Sequence, residues 1–317
     1  MKKRVLSALV MIAAVIGAFA FRLIPTYGVY VFDLFLGALA ILCALEMSKL
    51  LDGMYILNSP MAIGVYPSLM FAGHMFTFLF KLDFYWWFVI QAIILVFMFL
   101  ATYVSYLFDT KYLIRLRRET KLSKNKLAIK TTLGSLIAFI YPAALFLAFM
   151  MTDRVDELSF GFVENFSGNL GWLMLVCAVI IPVISDTVAL LCGMFFKGTK
   201  LCPKVSKNKT VAGAAFACMF TGVIMGALYY LFNVFTVFKV GMAATHIYMW
   251  HFIILGVLGS IFSQLGDLFE SFLKRKANVK DSGTIFPGHG GFLDRLDSHL
   301  FSAVFTLVYF AMIFIIY

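Results

Sequence analysis

Residues 244–317 read ATHIYMWHFIILGVLGSIFSQLGDLFESFLKRKANVKDSGTIFPGHGGFLDRLDSHLFSAVFTLVYFAMIFIIY, and the swing of polarity inside this stretch decides the fold. Its two apolar runs, 244–266 and 299–317, are each about 20 residues, the length a helix needs to cross about 30 Å of hydrocarbon. Between them, 264–298 gathers Asp267, Glu270, Asp281, Asp294 and Asp297 with Lys274, Arg275, Lys276, Lys280 and Arg295, one His and a glycine cluster. Outward from here the apolar theme repeats. The chain is 62% hydrophobic and only 13% charged, with 36 Phe in 317 residues and a mean hydropathy of +0.95. Such a composition belongs to the membrane class. Polar interruptions of about 20 to 30 residues at most exclude a sizeable soluble domain.

Hydropathy and the length requirement predict an all-α polytopic protein of about nine spans. They fall at 5–24, 28–45, 61–80, 84–108, 131–151, 171–195, 211–232, 244–266 and 299–317, the third being the weakest because it carries Pro67 and His74. Lys2, Lys3 and Arg4 precede the first span. The loop after the fourth holds Lys111, Arg115, Arg117, Arg118, Lys121, Lys124, Lys126 and Lys130 against Asp109 and Glu119. The loop after the sixth holds Lys197, Lys200, Lys204, Lys207 and Lys209 and no acid, whereas the loop after the fifth is acidic, with Asp153, Asp156, Glu157 and Glu164 against Arg154. An N-terminus inside therefore puts every strongly basic segment in the cytoplasm, and 264–298 with them, leaving the C-terminus outside. The net charge of +10 is read as loop lysine and arginine facing anionic lipid, not as a nucleic-acid signal.

The first twenty residues, MKKRVLSALVMIAAVIGAFA, resemble a cleavable signal peptide, but apolar spans follow at once and argue against cleavage. Cys43, Cys177, Cys192, Cys202 and Cys218 are scattered without CxxC spacing, which favours buried reduced thiols over disulfides or a zinc site.

Several groups have the types and spacing that chemistry requires. If the eighth span continues as a helix, Asp267, Glu270, Ser271 and Lys274 share one face, with Gln264 a turn earlier. Alone, that face also suits a solvated helix end. Pro287-Gly288-His289-Gly290-Gly291 allows close backbone approach and leaves amides open to an anion, without the Gly-Lys-Ser/Thr of a Walker A loop. Asp294 and Asp297 then open the last span three residues apart, a pair suited to a hard divalent cation. Asp186, in the membrane run VISDTVALLCG, is a functional candidate by default, with a structural ion pair as the other reading. Ser206, Lys207, Asn208, Lys209 and Thr210 suit a polyanion, or equally an anionic lipid surface. Structural roles are expected for Asp33 and His74, and interface anchoring for His246 and His251 beside Trp250; His299 is close enough to Asp297 to take part.

The residues Ser271, Lys274, Arg275, Lys280, Asp281, Ser282, Gly283, Phe286, Pro287, His289, Gly290, Gly291, Asp294, Arg295 and Asp297 stand at fixed spacing. Together they resemble the complete signature of phosphatidate cytidylyltransferases, also called CDP-diacylglycerol synthases. Gly266-Asp267-Leu268 and Glu270 fit as well. The resemblance implies a reaction of phospholipid biosynthesis, CTP plus phosphatidate giving CDP-diacylglycerol and pyrophosphate. It implies Mg²⁺, with a second cation open, held by Asp267, Asp294 and Asp297. Lys274, Arg275, Lys280 and Arg295 would neutralise phosphates beside Asp281, and Asp186, Ser206, Lys209, Thr210, Ser271, His289, Gly290 and Gly291 would contact substrate. A homodimer is expected from the same resemblance, and a bacterial plasma membrane from a short chain without a transit peptide. Upstream, Asp186, Gly193, Ser206, Lys209, Thr210 and Gly213 match the family pattern, but Met194 stands where Arg is common, Lys207 where Pro is and Ala212 where Glu is. Residues 1–130 are expected to form an N-terminal membrane region and 131–317 a catalytic membrane domain carrying the signature at 271–297. A CTP-dependent lipid kinase is the alternative. A transporter is less favoured, since it would place ionisable groups near the midplane in repeated or broken helices.

Overall fold

In hydrocarbon no water can satisfy backbone N–H and C=O groups, so apolar runs of this length fold into helices that satisfy their own. A computed structural model of the protein describes residues 13–24, 27–108, 123–155, 170–196, 198–234, 247–286 and 290–316. In chain order the elements are α1 (Ala13–Arg22), α2 (Gly28–Gly53), α3 (Pro60–Leu79), α4 (Phe84–Phe108), α5 (Lys124–Ala138), a π-helical segment (Phe139–Ala144) and α6 (Leu145–Asp153). There follow α7 (Leu170–Phe196), a hairpin of β1 (Lys200–Cys202) and β2 (Ser206–Thr210), α8 (Val211–Val234), α9 (Met249–Lys276) and α10 (Leu293–Ile316). Among the described residues seven helices are long and apolar enough to cross a membrane, and two shorter ones, Ala13–Arg22 and Ile63–Leu79, stand where the first and third spans were expected. The protein is an all-α polytopic membrane protein.

Three departures from the expected spans have local causes. The run 131–151 is not one regular helix: Tyr141 sits at φ −125, ψ 119, because Pro142 lacks an N–H and its ring pushes the preceding residue out of the helical region. Helix α2 does not stop at residue 45 but runs to Gly53, carrying Glu46, Lys49 and Asp52. Just beyond its end Asn58 takes a hydrogen bond from Ser48 Oγ (2.6 Å) and donates to Asp52 Oδ1 (2.8 Å), so the polar last turns have partners. The loop after the sixth span contains the β1–β2 antiparallel hairpin, which the lysine-rich sequence did not announce.

The chain divides into two compact units, Met1–Leu147 with Lys276–Asp294, and Ala148–Arg275 with Arg295–Tyr317. In the first, α2 packs on α3 and α5, and α3 on α4. Its interior holds Asp33 and His74, both fully buried and 3.6 Å apart, with Trp87 Nε1 donating to His74 Nδ1 at 3.1 Å. These two residues answer each other inside the bundle, as a buried charge requires. In the second unit α7 packs on α8, and glycines let α8 and α9 approach closely: a Cβ on Gly256 would lie 2.7 Å from the Thr221 carbonyl oxygen. Ser185 and Ser260 join α7 to α9 at 2.7 Å, and Gln264 donates from α9 to the Ala214 carbonyl of α8 at 3.3 Å. The five cysteines are free thiols, Cys43 and Cys177 buried, in line with the sequence reading.

Candidate active site

The second unit holds a cavity of about 650 Å³ whose walls include Asp186, Met194, Lys200, Lys209, Gln264 and Asp267. Each wall follows from the local fold. Helix α7 brings Asp186 to the cavity one residue after the buried Ser185 that fixes α7 on α9. The β2 strand turns Lys209 inward while its neighbours Lys207 and Asn208 stay exposed. Thr210 then caps α8, its hydroxyl accepting the Gly213 N–H at 3.1 Å, and it is wedged beside Gly193, where a Cβ would come within 3.1 Å of that hydroxyl. Thus Asp186, Gly193, Lys209, Thr210 and Gly213, scattered in sequence, meet at one place.

The helix face expected on α9 is present. Lys209 forms an ion pair with Asp267, whose Oδ1 also accepts the Ser271 hydroxyl at 3.2 Å. Glu270 is fully buried and pairs with Lys274 one turn on. On α10, Asp297 is buried, with Oδ1 accepting the Ser298 N–H at 2.7 Å, and Ser298 Oγ lies 3.5 Å from Asp186 Oδ2. Asp267 repels both Asp186 and Asp297, and those two repel each other. Lys209 and Lys274 partly offset that repulsion, Lys209 at Asp186 and Lys274 at Asp297. Carboxylates are the hard oxygen donors that a divalent cation such as Mg²⁺ takes, so the residue types present suit that ion. Among the described residues no three His, Cys, Asp or Glu side chains converge as a ready ligand group.

The signature residues from Lys280 to Asp294 lie in the first unit. Asp294 Oδ2 accepts the Ser282 N–H (2.9 Å), the Ser282 hydroxyl (2.9 Å) and the Gly291 N–H (2.7 Å). Gly290, at φ +88, exchanges backbone hydrogen bonds with Phe286 in both directions (2.9 and 3.2 Å). The expectation that Gly290 and Gly291 leave their amides open to an anion is therefore corrected: both donate within the loop. Pro287, Gly288 and His289 lie outside the described residues, as does His246. Lys280, Asp281 and Arg295 are exposed, and so is Arg275, whose Nε donates to the Val205 carbonyl at the hairpin tip (3.3 Å). Ser206 opens β2 opposite Cys202.

One residue escaped the sequence reading. Glu46, in α2, is 2% exposed and accepts the N–H of Phe292 (3.2 Å), the N–H of Leu293 (2.9 Å) and the hydroxyl of Ser282 (3.2 Å). An acid inside an apolar helix was the available signal, the same one that marked Asp186.

A family model described as the cytidylyltransferase family matches residues 2–313. Over 147 residues the chain is 38% identical to a phosphatidate cytidylyltransferase of Rickettsia conorii, covering 44% of this chain and 57% of that protein. Proteins of the same name from Bacillus subtilis (40% over 144 residues; 45% and 48% covered) and Staphylococcus epidermidis (39% over 140 residues; 44% and 49%) are similar to it as well. The chain thus spans about half the length of the curated relatives it matches.

Proposed function

The chain belongs to the cytidylyltransferase family, and from that premise we propose that it is a phosphatidate cytidylyltransferase converting CTP and phosphatidate to CDP-diacylglycerol and pyrophosphate. The observation that carries this reading is the cavity where Asp186, Lys209 and Asp267 meet on three different elements of the second unit. A nucleoside triphosphate needs cationic side chains at its phosphates and carboxylates for its metal, and this wall supplies both kinds.

In the proposed reaction an oxygen of the lipid phosphate attacks the α-phosphorus of CTP. A new P–O bond forms there, the bond from the α-phosphorus to the α,β-bridging oxygen breaks, and its electrons leave with pyrophosphate. Phosphatidate is already an anion near neutral pH, so no side chain has to remove a proton. The protein's share is positioning and charge neutralisation. Lys209, released from Asp267, would face phosphate, with Lys274 and Arg275 following on α9 and Arg295 exposed on α10 for the same task. Asp267 and Asp297 are the residues that would hold Mg²⁺, and the ion when bound would supply charge neutralisation at the triphosphate; Asp294, expected with them from the sequence, has its Oδ2 taken up by Ser282 and Gly291 in the first unit. Loop charge supports a cytoplasmic N-terminus and site, where CTP is available, and a C-terminus outside. A homodimer is proposed on the family resemblance alone.

The test is purified protein in phosphatidate vesicles with Mg²⁺ and CTP carrying either an α- or a γ-phosphate label. Lipid-bound α-label with pyrophosphate release is expected. Lipid-bound γ-label alone would instead make the protein a lipid kinase.

A further inference from the structure

We infer that Glu46 is a positioning residue for the signature loop, a carboxylate reaching from α2 to fix the head of the helix that carries Asp294 and Asp297. Four amides of this loop go to two carboxylates. Glu46 takes Phe292 and Leu293, and Asp294 takes Ser282 and Gly291. The Ser282 hydroxyl lies within hydrogen-bond distance of both acids, 3.2 Å from Glu46 and 2.9 Å from Asp294. The first N–H groups of a helix have no partner within it, and a negative charge there also meets the positive end of the helix dipole. Helix α10 draws both from Glu46, a residue far away in sequence.

The same carboxylate accounts for two glycines of the signature. A Cβ on Gly283 or Gly291 would strike the Glu46 carboxylate, and one on Gly290 would strike that of Asp294. At these positions an acid lies against the backbone, and at Gly290 the backbone is held besides at φ +88. Glu46 is 2% exposed and sits where the apolar run of α2 gives way to its polar last turns, and an ionised group buried there needs such donors to persist. Its action on the reaction is indirect: with α10 held at its first turn, Asp294 and, one turn on, Asp297 keep their places along one helix face.

The inference deepens the proposed function, and its test has one arm that does not depend on it. Glu46→Gln keeps the shape but offers an amide group to one of the two N–H donors, and Ser282→Ala removes only the shared hydroxyl. Hydrogen exchange in peptides covering 276–294 is expected to accelerate about tenfold or more in Glu46→Gln, and less in Ser282→Ala, while peptides of α7 and α8 keep wild-type protection. In the cytidylyl-transfer assay kcat should fall about 10- to 100-fold with KM for CTP changed less than about threefold, the pattern of lost positioning and not of lost binding. Glu46→Asp should partly relieve Gly291→Ala, since the shorter acid withdraws from the new methyl; the double variant then exceeds Gly291→Ala alone. Unchanged loop exchange in Glu46→Gln overturns the inference, whatever the assay gives. Faster loop exchange with unaltered kcat, or strictly additive effects of the double variant, overturns the positioning role. A wild-type protein inactive on CTP and phosphatidate would sink the proposed function and leave the exchange arm to decide on Glu46.

Discussion

In the first unit Glu46 and Asp294 face N–H and O–H donors; in the second, Asp186, Asp267 and Asp297 lie near enough to act on one another electrostatically. Both regions put carboxylates into a largely apolar chain. Donors absorb the charge of the first pair and turn it into fixed geometry. The second set lies beside Lys209, which pairs with Asp267 and acts on Asp186, and Lys274, which acts on Asp297. Carboxylates already satisfied by hydrogen bonds hold a structure, whereas carboxylates left in mutual repulsion are poised to take a cation or exchange partners. On the proposed function, the difference would give scaffold work to the first region and chemistry to the second.

Substitutions can break that contrast, beginning with the largest expected effect. Asp267→Asn removes the acid that acts on both Asp186 and Asp297 and pairs with Lys209; turnover of labelled CTP into lipid should fall about 10³-fold with membrane insertion intact. Near-normal turnover would move the chemistry elsewhere. Gly291→Ala places a methyl against the Glu46 carboxylate, and a loss of about 10- to 100-fold in kcat is expected, read in the same assay. Lys209→Met should raise KM for CTP about tenfold with a smaller change in kcat, since it removes a cation from the cavity wall. If kcat alone fell, Lys209 would act on the reacting centre and not on binding. Asp33→Ala sharpens the comparison from the other side. It leaves His74 buried without its acid, so unfolding should become easier by about 3–5 kcal/mol while kcat of the folded fraction is unchanged.

Much of this was legible in the sequence because the bilayer makes severe demands. A span needs length and apolarity, both countable, and the expected boundaries at 84–108 and 211–232 nearly coincide with α4 and α8. The i, i+3, i+4, i+7 spacing of Asp267, Glu270, Ser271 and Lys274 likewise survived as paired contacts on α9. Tertiary pairings were hidden. Nothing near Glu46 in sequence says that its partners stand at 282, 292 and 293, so the glycines of the signature were read through phosphate chemistry instead of through the acid beside them. Thr210 was likewise read as a substrate contact, and its role as the cap of α8 emerges only once Gly193 and Gly213 are seen on either side of it.

The central claim is that the lipid phosphate is the nucleophile and the α-phosphorus of CTP its target. Phosphatidate carrying ¹⁸O on its phosphate, turned over with unlabelled CTP and analysed by mass spectrometry, tests this most directly. The account predicts CDP-diacylglycerol that retains every ¹⁸O atom of the lipid phosphate, with pyrophosphate free of label. Loss of ¹⁸O from the lipid product, or label in the released pyrophosphate, would contradict it.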